Sequence, residues 1–192
     1  MNLIPRLLAG LAGATLLVTV APAVASAADF SHVDAARDVR SGTLDSDAIR
    51  RAEPRERAGD VRRLRIDHRT DTLVLTFRTR GALPTGRYVV TAEVRTPSGT
   101  FEVSHGRMFG MTFSDVSVDS EPIACAGYRT EIDASRKRTT MVIPTSCLGT
   151  PAWVRVGGGT GIIRGKRLYV DDALRDGRVR DTIKLSPRIA RG

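Results

Sequence analysis

The chain has few of the residues that usually carry chemistry or specific recognition. Its 192 residues include two cysteines, three histidines, one tryptophan and only 5% aromatic residues. Neither the G-x-S-x-G pentapeptide of α/β-hydrolases nor the H-E-x-x-H spacing of zinc peptidases occurs. These absences exclude a serine hydrolase of the α/β type and a helical zinc-peptidase site. The 9 prolines and 18 glycines also argue against long helices.

The first residues follow the order of a secretory signal. Arg6 precedes the uncharged, largely apolar run from Leu7 to Val20, and Pro22 leads to the small residues Ala25-Ser26-Ala27. This order predicts a signal peptide over residues 1–27, cleaved after Ala27. The apolar run is too short to cross about 30 Å of hydrocarbon as a stable anchor. We therefore expect a secreted, extracellular protein with no membrane span after cleavage.

The two cysteines fit this extracellular expectation. Outside the cytoplasm, Cys125 and Cys147 are most simply interpreted as one disulfide. Closing a loop of this length would stabilise the fold by about 3 kcal/mol. A catalytic thiol is the alternative, and it would need a histidine and an orienting partner nearby.

Most of the chain after Gly59 alternates between apolar and polar residues, as half-buried strands do. The alternation predicts one hairpin from Leu64–His68 and Leu73–Phe77, and a second from Tyr128–Asp133 and Thr139–Ile143. A further strand is predicted at Arg87–Arg95. Short strands separated by turn signals about every 8 to 12 residues predict an all-β fold, an antiparallel, jelly-roll-like β-sandwich.

The predicted domain organisation has three parts. The signal peptide, residues 1–27, is followed by an irregular polar N-terminal arm, residues 28–59, with a short strand near Phe30–Val39. The β-sandwich domain then covers residues 60–192. Within it, the spacing of Gly157–Gly161 does not match a phosphate-binding loop, and we expect a flexible surface loop between two strands there.

Basic residues point to a class of partner. Of the 30 basic residues 27 are arginine, and the formal net charge is +9. Arg63, Arg65, Arg78 and Arg80 alternate with apolar residues on the first hairpin, which predicts a basic surface for an anionic cell-envelope or extracellular polymer. Specific nucleic-acid recognition is not expected, since aromatic platforms are few. The alternative is that these arginines pair with neighbouring carboxylates and keep the protein in solution.

Acidic residues offer oxygen ligands. Asp34, Asp38 and Asp60 are candidate ligands for a structural calcium ion, and Asp171 with Asp172 is another acidic pair. No run matches an EF-hand loop, and surface carboxylates paired with arginine are the alternative interpretation. No other cofactor is expected. Two carboxylates about 5 to 9 Å apart could instead form a glycosidase pair, although glycosidase clefts usually have aromatic walls.

Several segments together resemble a known group of proteins. They are Asp34–Val39, Gly59–Val61, Ile143–Gly149, Pro151–Val156 and Tyr169–Ala173. Their order is similar to that in a group of uncharacterised secreted actinobacterial proteins, whose layout is similar to β-sandwich modules of the DOMON and carbohydrate-binding type. Position 37 is Arg where the D-x-x-G-D-V pattern of the group has Gly. The resemblance implies secretion and a β-sandwich, and it implies no particular activity.

These observations favour a secreted, monomeric and non-catalytic module that binds an extracellular or cell-envelope polymer. A small secreted hydrolase with a carboxylate-based active site is the alternative. Convergent carboxylates in one concave site would favour the hydrolase, and a basic open face would favour the binding module.

Overall fold

The computed structural model describes residues 28–45 and 48–192. The predicted signal peptide, residues 1–27, lies outside the described residues. Antiparallel strands and one 3₁₀ turn make up the regular structure. In chain order these are β1 (Ala28–Val33), β2 (Arg40–Thr43), β3 (Arg51–Ala52), β4 (Val61–His68), β5 (Thr72–Thr79), β6 (Arg87–Thr96), β7 (Gly99–Met108), β8 (Met111–Val118), β9 (Glu121–Ile123), β10 (Arg129–Asp133), β11 (Arg138–Pro144), the 3₁₀ turn Thr145–Leu148, β12 (Trp153–Arg164), β13 (Arg167–Asp172) and β14 (Ile189–Ala190).

The strands form two antiparallel sheets. The smaller sheet has the order β1-β4-β5-β11-β10, with β1 and β10 at its edges. The larger sheet has the order β3-β2-β13-β12-β6-β7-β8-β9, and β14 pairs with β12 beside this path. The predicted all-β sandwich is confirmed. Within residues 28–45 and 48–192, no helix has the length and apolarity needed to cross a bilayer.

The core lies between the sheets and follows from the predicted alternation. Leu64 pairs with Phe77 and Ile66 with Leu75 across the β4–β5 hairpin, and all four side chains are buried. They pack in one cluster with side chains of the larger sheet, including those of β6 and β12. Burial of each large apolar side chain contributes about 2 kcal/mol. The hairpins β4–β5 and β10–β11 are therefore confirmed, and so is the strand β6.

Residues 28–59, predicted as an arm with one short strand, contribute to both sheets. The strand β1 pairs with β4 in the smaller sheet, and β2 pairs with β13 in the larger sheet. The chain crosses from one sheet to the other over residues 34–39. In this crossing Arg37 has a φ of 67°, in the left-handed region that glycine adopts most easily. Arginine thus takes the backbone conformation that the glycine of the D-x-x-G-D-V pattern favours.

The glycine run corrects one prediction. Gly157–Gly161 is not a flexible surface loop, because it lies within β12 and is buried. A Cβ on Gly157 would lie 2.0 Å from the carbonyl oxygen of Lys184, and one on Gly159 would lie 1.9 Å from that of Asp171. Two other chain segments therefore approach the strand more closely than any side chain allows. Glycine carries no signal in an alternation pattern, so the sequence pattern does not reveal this strand.

We expect Gly159→Ala to lower the free energy of unfolding by about 3 kcal/mol or more, since backbone atoms must move to admit the methyl group. Gly86→Ala is the matched control, because a Cβ there meets nothing within 4 Å. Urea denaturation followed by tryptophan fluorescence measures both variants. Equal midpoints for the two would contradict the close approach.

The predicted disulfide is present between Cys125 and Cys147, with Cα atoms 5.4 Å apart. Cys125 lies in the connection from β9 of the larger sheet to β10 of the smaller one, and Cys147 lies in the 3₁₀ turn. Both half-cystines pack against the core. The bond therefore ties a crossing between the sheets to the end of β11.

Replacing both cysteines by alanine should lower the free energy of unfolding by about 3 kcal/mol, because the unfolded chain gains the freedom of an open loop of 22 residues. Denaturant midpoints of the variant and of the reduced wild type measure the loss. Thiol labelling of unreduced, unfolded wild type serves as the control and should give no signal. Two reactive thiols in that control would contradict the bond.

Candidate functional site

Two charged regions stand out, and the first is a group of buried carboxylates at the arm crossing. Asp34 and Asp38 lie between β1 and β2, Asp60 directly precedes β4, and Asp171 lies near the end of β13. The fold brings them together because β1 and β2 belong to different sheets and the chain between them passes the end of β13. We name Asp34, Asp38 and Asp171 the carboxylate triad.

One carboxylate oxygen of each triad member lies within 4.8 Å of one oxygen of each of the others. Asp34 is 2% exposed and Asp171 is 3% exposed. Both carboxylate oxygens of Asp34 and the Oδ1 of Asp38 are buried without a hydrogen-bond partner. The remaining contacts are two backbone amides: Gly177 N–H donates to Asp38 Oδ2 at 2.9 Å, and Val61 N–H to Asp171 Oδ2 at 2.7 Å.

Two neighbouring aspartates differ from the triad because cations compensate them. Asp60 Oδ2 accepts from the Arg37 backbone N–H at 2.8 Å and lies 2.8 Å from Arg80 Nε. Its Oδ1 is buried without a partner. Asp172 pairs with Arg175 at 2.9 Å and accepts from two backbone amides. Among the described residues, no salt bridge reaches a triad carboxylate.

Burial and mutual repulsion raise the pKa values of these groups. Burial is the largest cause for Asp34, and the nearby Asp38 adds to it, so that the pKa is raised to about 8. The pKa of Asp171 is raised to about 9 by burial and then by Asp38 and Asp34. Burial also raises the pKa of Asp60, against the backbone N–H of Arg37 and the charge of Arg80. Without a bound cation, Asp34 and Asp171 therefore hold protons at neutral pH.

The predicted metal ligands are only partly the ones that the fold brings together. Asp34 and Asp38 are in the triad, whereas Asp60 lies beside it and is compensated by Arg80. Asp171 completes the set. A second set of possible ligands shares Asp34 and adds His32 and the exposed Asp176. An all-oxygen set with uncompensated charge suits a hard divalent cation, while a histidine suits softer metals.

The raised pKa values predict a pH effect on stability in chelator. In the folded protein Asp34 and Asp171 hold their protons up to about pH 8 and 9, while an unfolded aspartate loses its proton near 3.8. Because the folded state then binds more protons, the free energy of unfolding falls as pH rises through this window. We expect a lower unfolding midpoint at pH 9 than at pH 7 in scanning calorimetry.

Two features make this pH comparison specific. Burial lowers the pKa of His68 and His105, so protonation of these histidines destabilises the folded state. Their contribution to the free energy of unfolding therefore increases with pH, and this increase is complete near pH 7. The range above pH 7 therefore isolates the carboxylates. Asp34→Asn should have a flatter profile there than wild type, because one buried ionisable group is gone. Parallel profiles for the two proteins would contradict the assignment.

The second charged region is the solvent face of the smaller sheet. Arg63 pairs with Arg78, and Arg78 pairs with Arg138, so three arginines form a row across β4, β5 and β11. Neighbouring strands are about 4.8 Å apart. Arg65 and Arg136 flank the row, and together these five side chains and Thr76 line a groove of about 380 Å³. We name this surface the arginine groove.

The row is repulsive and only partly neutralised. Arg65 lies 3.1 Å from Asp29, and Arg136 and Arg138 each lie 3.6 Å from Asp133. Arg63 and Arg78 have no side-chain partner among the described residues. Asp67, a possible partner of these arginines, pairs with Arg69 at 2.6 Å instead. Like charges directly opposite each other on a sheet are destabilising, and a bound anion would relieve them.

Arg80 does not lie in the arginine groove, although the alternation predicts it there. The strand β5 ends at Thr79, and the Arg80 backbone N–H donates to the carbonyl of Asp60 at 2.7 Å. Its guanidinium therefore turns towards Asp60 and donates to the carbonyl of Pro54 at 2.9 Å. Arg136 and Arg138 take its place. They reach the groove because β11 lies beside β5 in the sheet, and the alternation of residues along one strand does not predict which strands are neighbours.

His68 is buried, and its Nδ1 lies 3.2 Å from the carbonyl oxygen of Ile189. It therefore has a structural partner.

No protein-family model, curated protein or solved structure matches this chain. The two charged regions consequently carry the functional argument.

Proposed function

We propose that this protein is a secreted, non-catalytic module that binds an anionic polymer of the cell envelope or the extracellular space through the arginine groove. The observation that carries the proposal is the row Arg63–Arg78–Arg138, with two of its members unpaired. Five guanidinium groups along one groove offer repeated sites for phosphate, sulfate or carboxylate groups.

The expected mode of binding is electrostatic. Each arginine that neutralises a polymer charge releases condensed counterions, so affinity falls as salt rises. The groove is open and its lining is almost entirely arginine. Such a lining responds to the charge density of a bound polymer rather than to one particular chemical structure. We therefore expect low selectivity among linear polyanions of similar charge spacing.

A neutral-sugar platform has less support. The single tryptophan, Trp153, is half-buried, and the Arg188 guanidinium covers its ring at 4.4 Å from the centroid. An exposed aromatic face is what stacks against a pyranose ring, and this ring already has a partner. Trp153 is therefore not a free aromatic platform.

The hydrolase alternative rests on the carboxylate triad, where carboxylates do converge. Asp34 and Asp171 are almost completely buried, however, and one oxygen of each triad member lies within 4.8 Å of one oxygen of each of the others. A glycosidase needs its two carboxyl groups on either side of a bound sugar, about 5 to 9 Å apart. The geometry favours a role in structure over attack on a polymer.

The test is retention on heparin-agarose compared with neutral dextran-agarose. Wild type should bind heparin at low salt and elute at moderate salt, with no retention on dextran. Arg63→Ala combined with Arg78→Ala should elute at clearly lower salt, because the two unpaired charges are lost. The control pair, Arg55→Ala with Arg107→Ala, removes the same charge from exposed positions elsewhere.

Equal shifts for the two pairs would mean that only net charge matters, and the groove would lose its role. Better retention on dextran than on heparin would favour a sugar-binding module instead. Circular dichroism of each variant checks that the strands are intact.

A further inference from the structure

We propose that Asp34, Asp38 and Asp171 bind one calcium ion, which fastens the N-terminal arm to the sandwich. This cation site is separate from the arginine groove and does not depend on the function proposed for it. Its ligands would be carboxylate oxygens from the arm crossing and from the end of β13.

The first argument is the state of Asp34. A buried carboxylate normally accepts several hydrogen bonds, yet at 2% exposure neither oxygen of Asp34 accepts a hydrogen bond of normal geometry from the described residues. The adjacent Ala35 backbone N–H is the backbone donor that lowers its pKa, and leaving a buried carboxylate so poorly satisfied is costly. One of its oxygens lies within 4.8 Å of oxygens of Asp38 and Asp171. Asp34 is therefore placed as a ligand whose oxygens are largely unsatisfied by the part of the chain that the structure describes.

The second argument is size. Two oxygens bound to the same calcium ion, each about 2.3 to 2.6 Å away, are at most about 5 Å apart. The three triad oxygens already meet this limit. Magnesium accepts shorter distances and a stricter octahedron, and it retains most of its water, so a set of three carboxylates of which two are buried suits calcium better. Backbone carbonyls or water would supply the other ligands.

The third argument is charge. Three carboxylates without a paired side-chain cation lie together in a low-dielectric region, whereas the adjacent Asp60 and Asp172 each have an arginine. Within residues 28–45 and 48–192, no arginine forms a salt bridge with a triad carboxylate. A divalent cation would compensate most of the charge of the ionised carboxylates and satisfy their open oxygens in one step.

The location gives the site a structural role. Asp34 and Asp38 belong to the segment that leaves β1 of the smaller sheet for β2 of the larger one, and Asp171 belongs to the larger sheet. A calcium ion there would hold the crossing segment against β13. Loss of the calcium ion should loosen residues 34–45 and 48–60 before the core unfolds.

The experiment is calcium titration of the purified, chelator-treated protein by isothermal calorimetry, with unfolding midpoints in chelator and in calcium. We expect one site with a Kd between about 10⁻⁵ and 10⁻³ M, the range of sensor and extracellular calcium sites. Calcium at about a hundred times the Kd should raise the unfolding midpoint by roughly 5 to 10 °C.

The decisive variant is Asp34→Asn, with Asp71→Asn as the control. Asp71 is an exposed aspartate in the turn between β4 and β5. Asp34→Asn should abolish the calorimetric signal, be at least as stable as wild type in chelator at pH 9, and be less stable than wild type in calcium. If Asp34 had only a packing role, Asp34→Asn would not be at least as stable as wild type in chelator and yet less stable than wild type in calcium. Asp71→Asn should bind calcium as wild type does.

Absence of a calorimetric signal for wild type, together with equal midpoints in chelator and calcium, would overturn the proposal without reference to any variant. Stabilisation by zinc but not by calcium would also overturn it, and would point to the set that contains His32. Heparin retention is measured on the same protein in chelator, so failure of the calcium site and failure of the arginine groove are read separately.

Discussion

Backbone groups of two other chain segments lie unusually close to β12, and the carboxylate triad and the larger sheet both rely on this close approach. Without side chains at Gly157 and Gly159, the carbonyl groups of Lys184 and Asp171 can lie directly against the strand. The end of β13 stays paired with β12 through Asp171 and Asp172, and the Asp171 carboxylate comes within reach of the arm crossing. A methyl group at Gly159 would displace both the sheet and the carboxylate triad.

The hairpins and their buried faces could be predicted from the sequence because they depend on local order, and the disulfide because the sequence has two cysteines and an expected extracellular location. Leu64 and Phe77 belong to the same hairpin, and their alternation with arginine indicates which face is buried. Asp34 and Asp171 are far apart in the chain, and only the pairing of β1 with β4 and of β2 with β13 relates them. All three triad residues could be recognised as oxygen donors, but their grouping, with Asp60 outside it, could not be predicted.

The arginine groove shows the same limit. Arg63, Arg65 and Arg78 follow from alternation, because a period of two places them opposite buried leucine, isoleucine and phenylalanine. Arg80 fails because alternation holds only while the strand continues, and β5 ends one residue earlier. Arg138 enters through the neighbouring strand. The formal net charge of +9 does not reveal this separation, since Asp34 and Asp171 are buried whereas the arginine groove is open to solvent.

The edges of the sheets bear on how copies of this protein meet in a crowded solution. At the edges of the larger sheet, β3 has only two residues, and β9 has three and includes Pro122, which has no N–H to donate. At one edge of the smaller sheet, three of the five residues of β10 are charged. Such edges are poor templates for a strand from another molecule. Among the edge strands of the described residues, β1 is the longest, with six residues, and is the edge at which exchange of strands or growth of fibrils would begin.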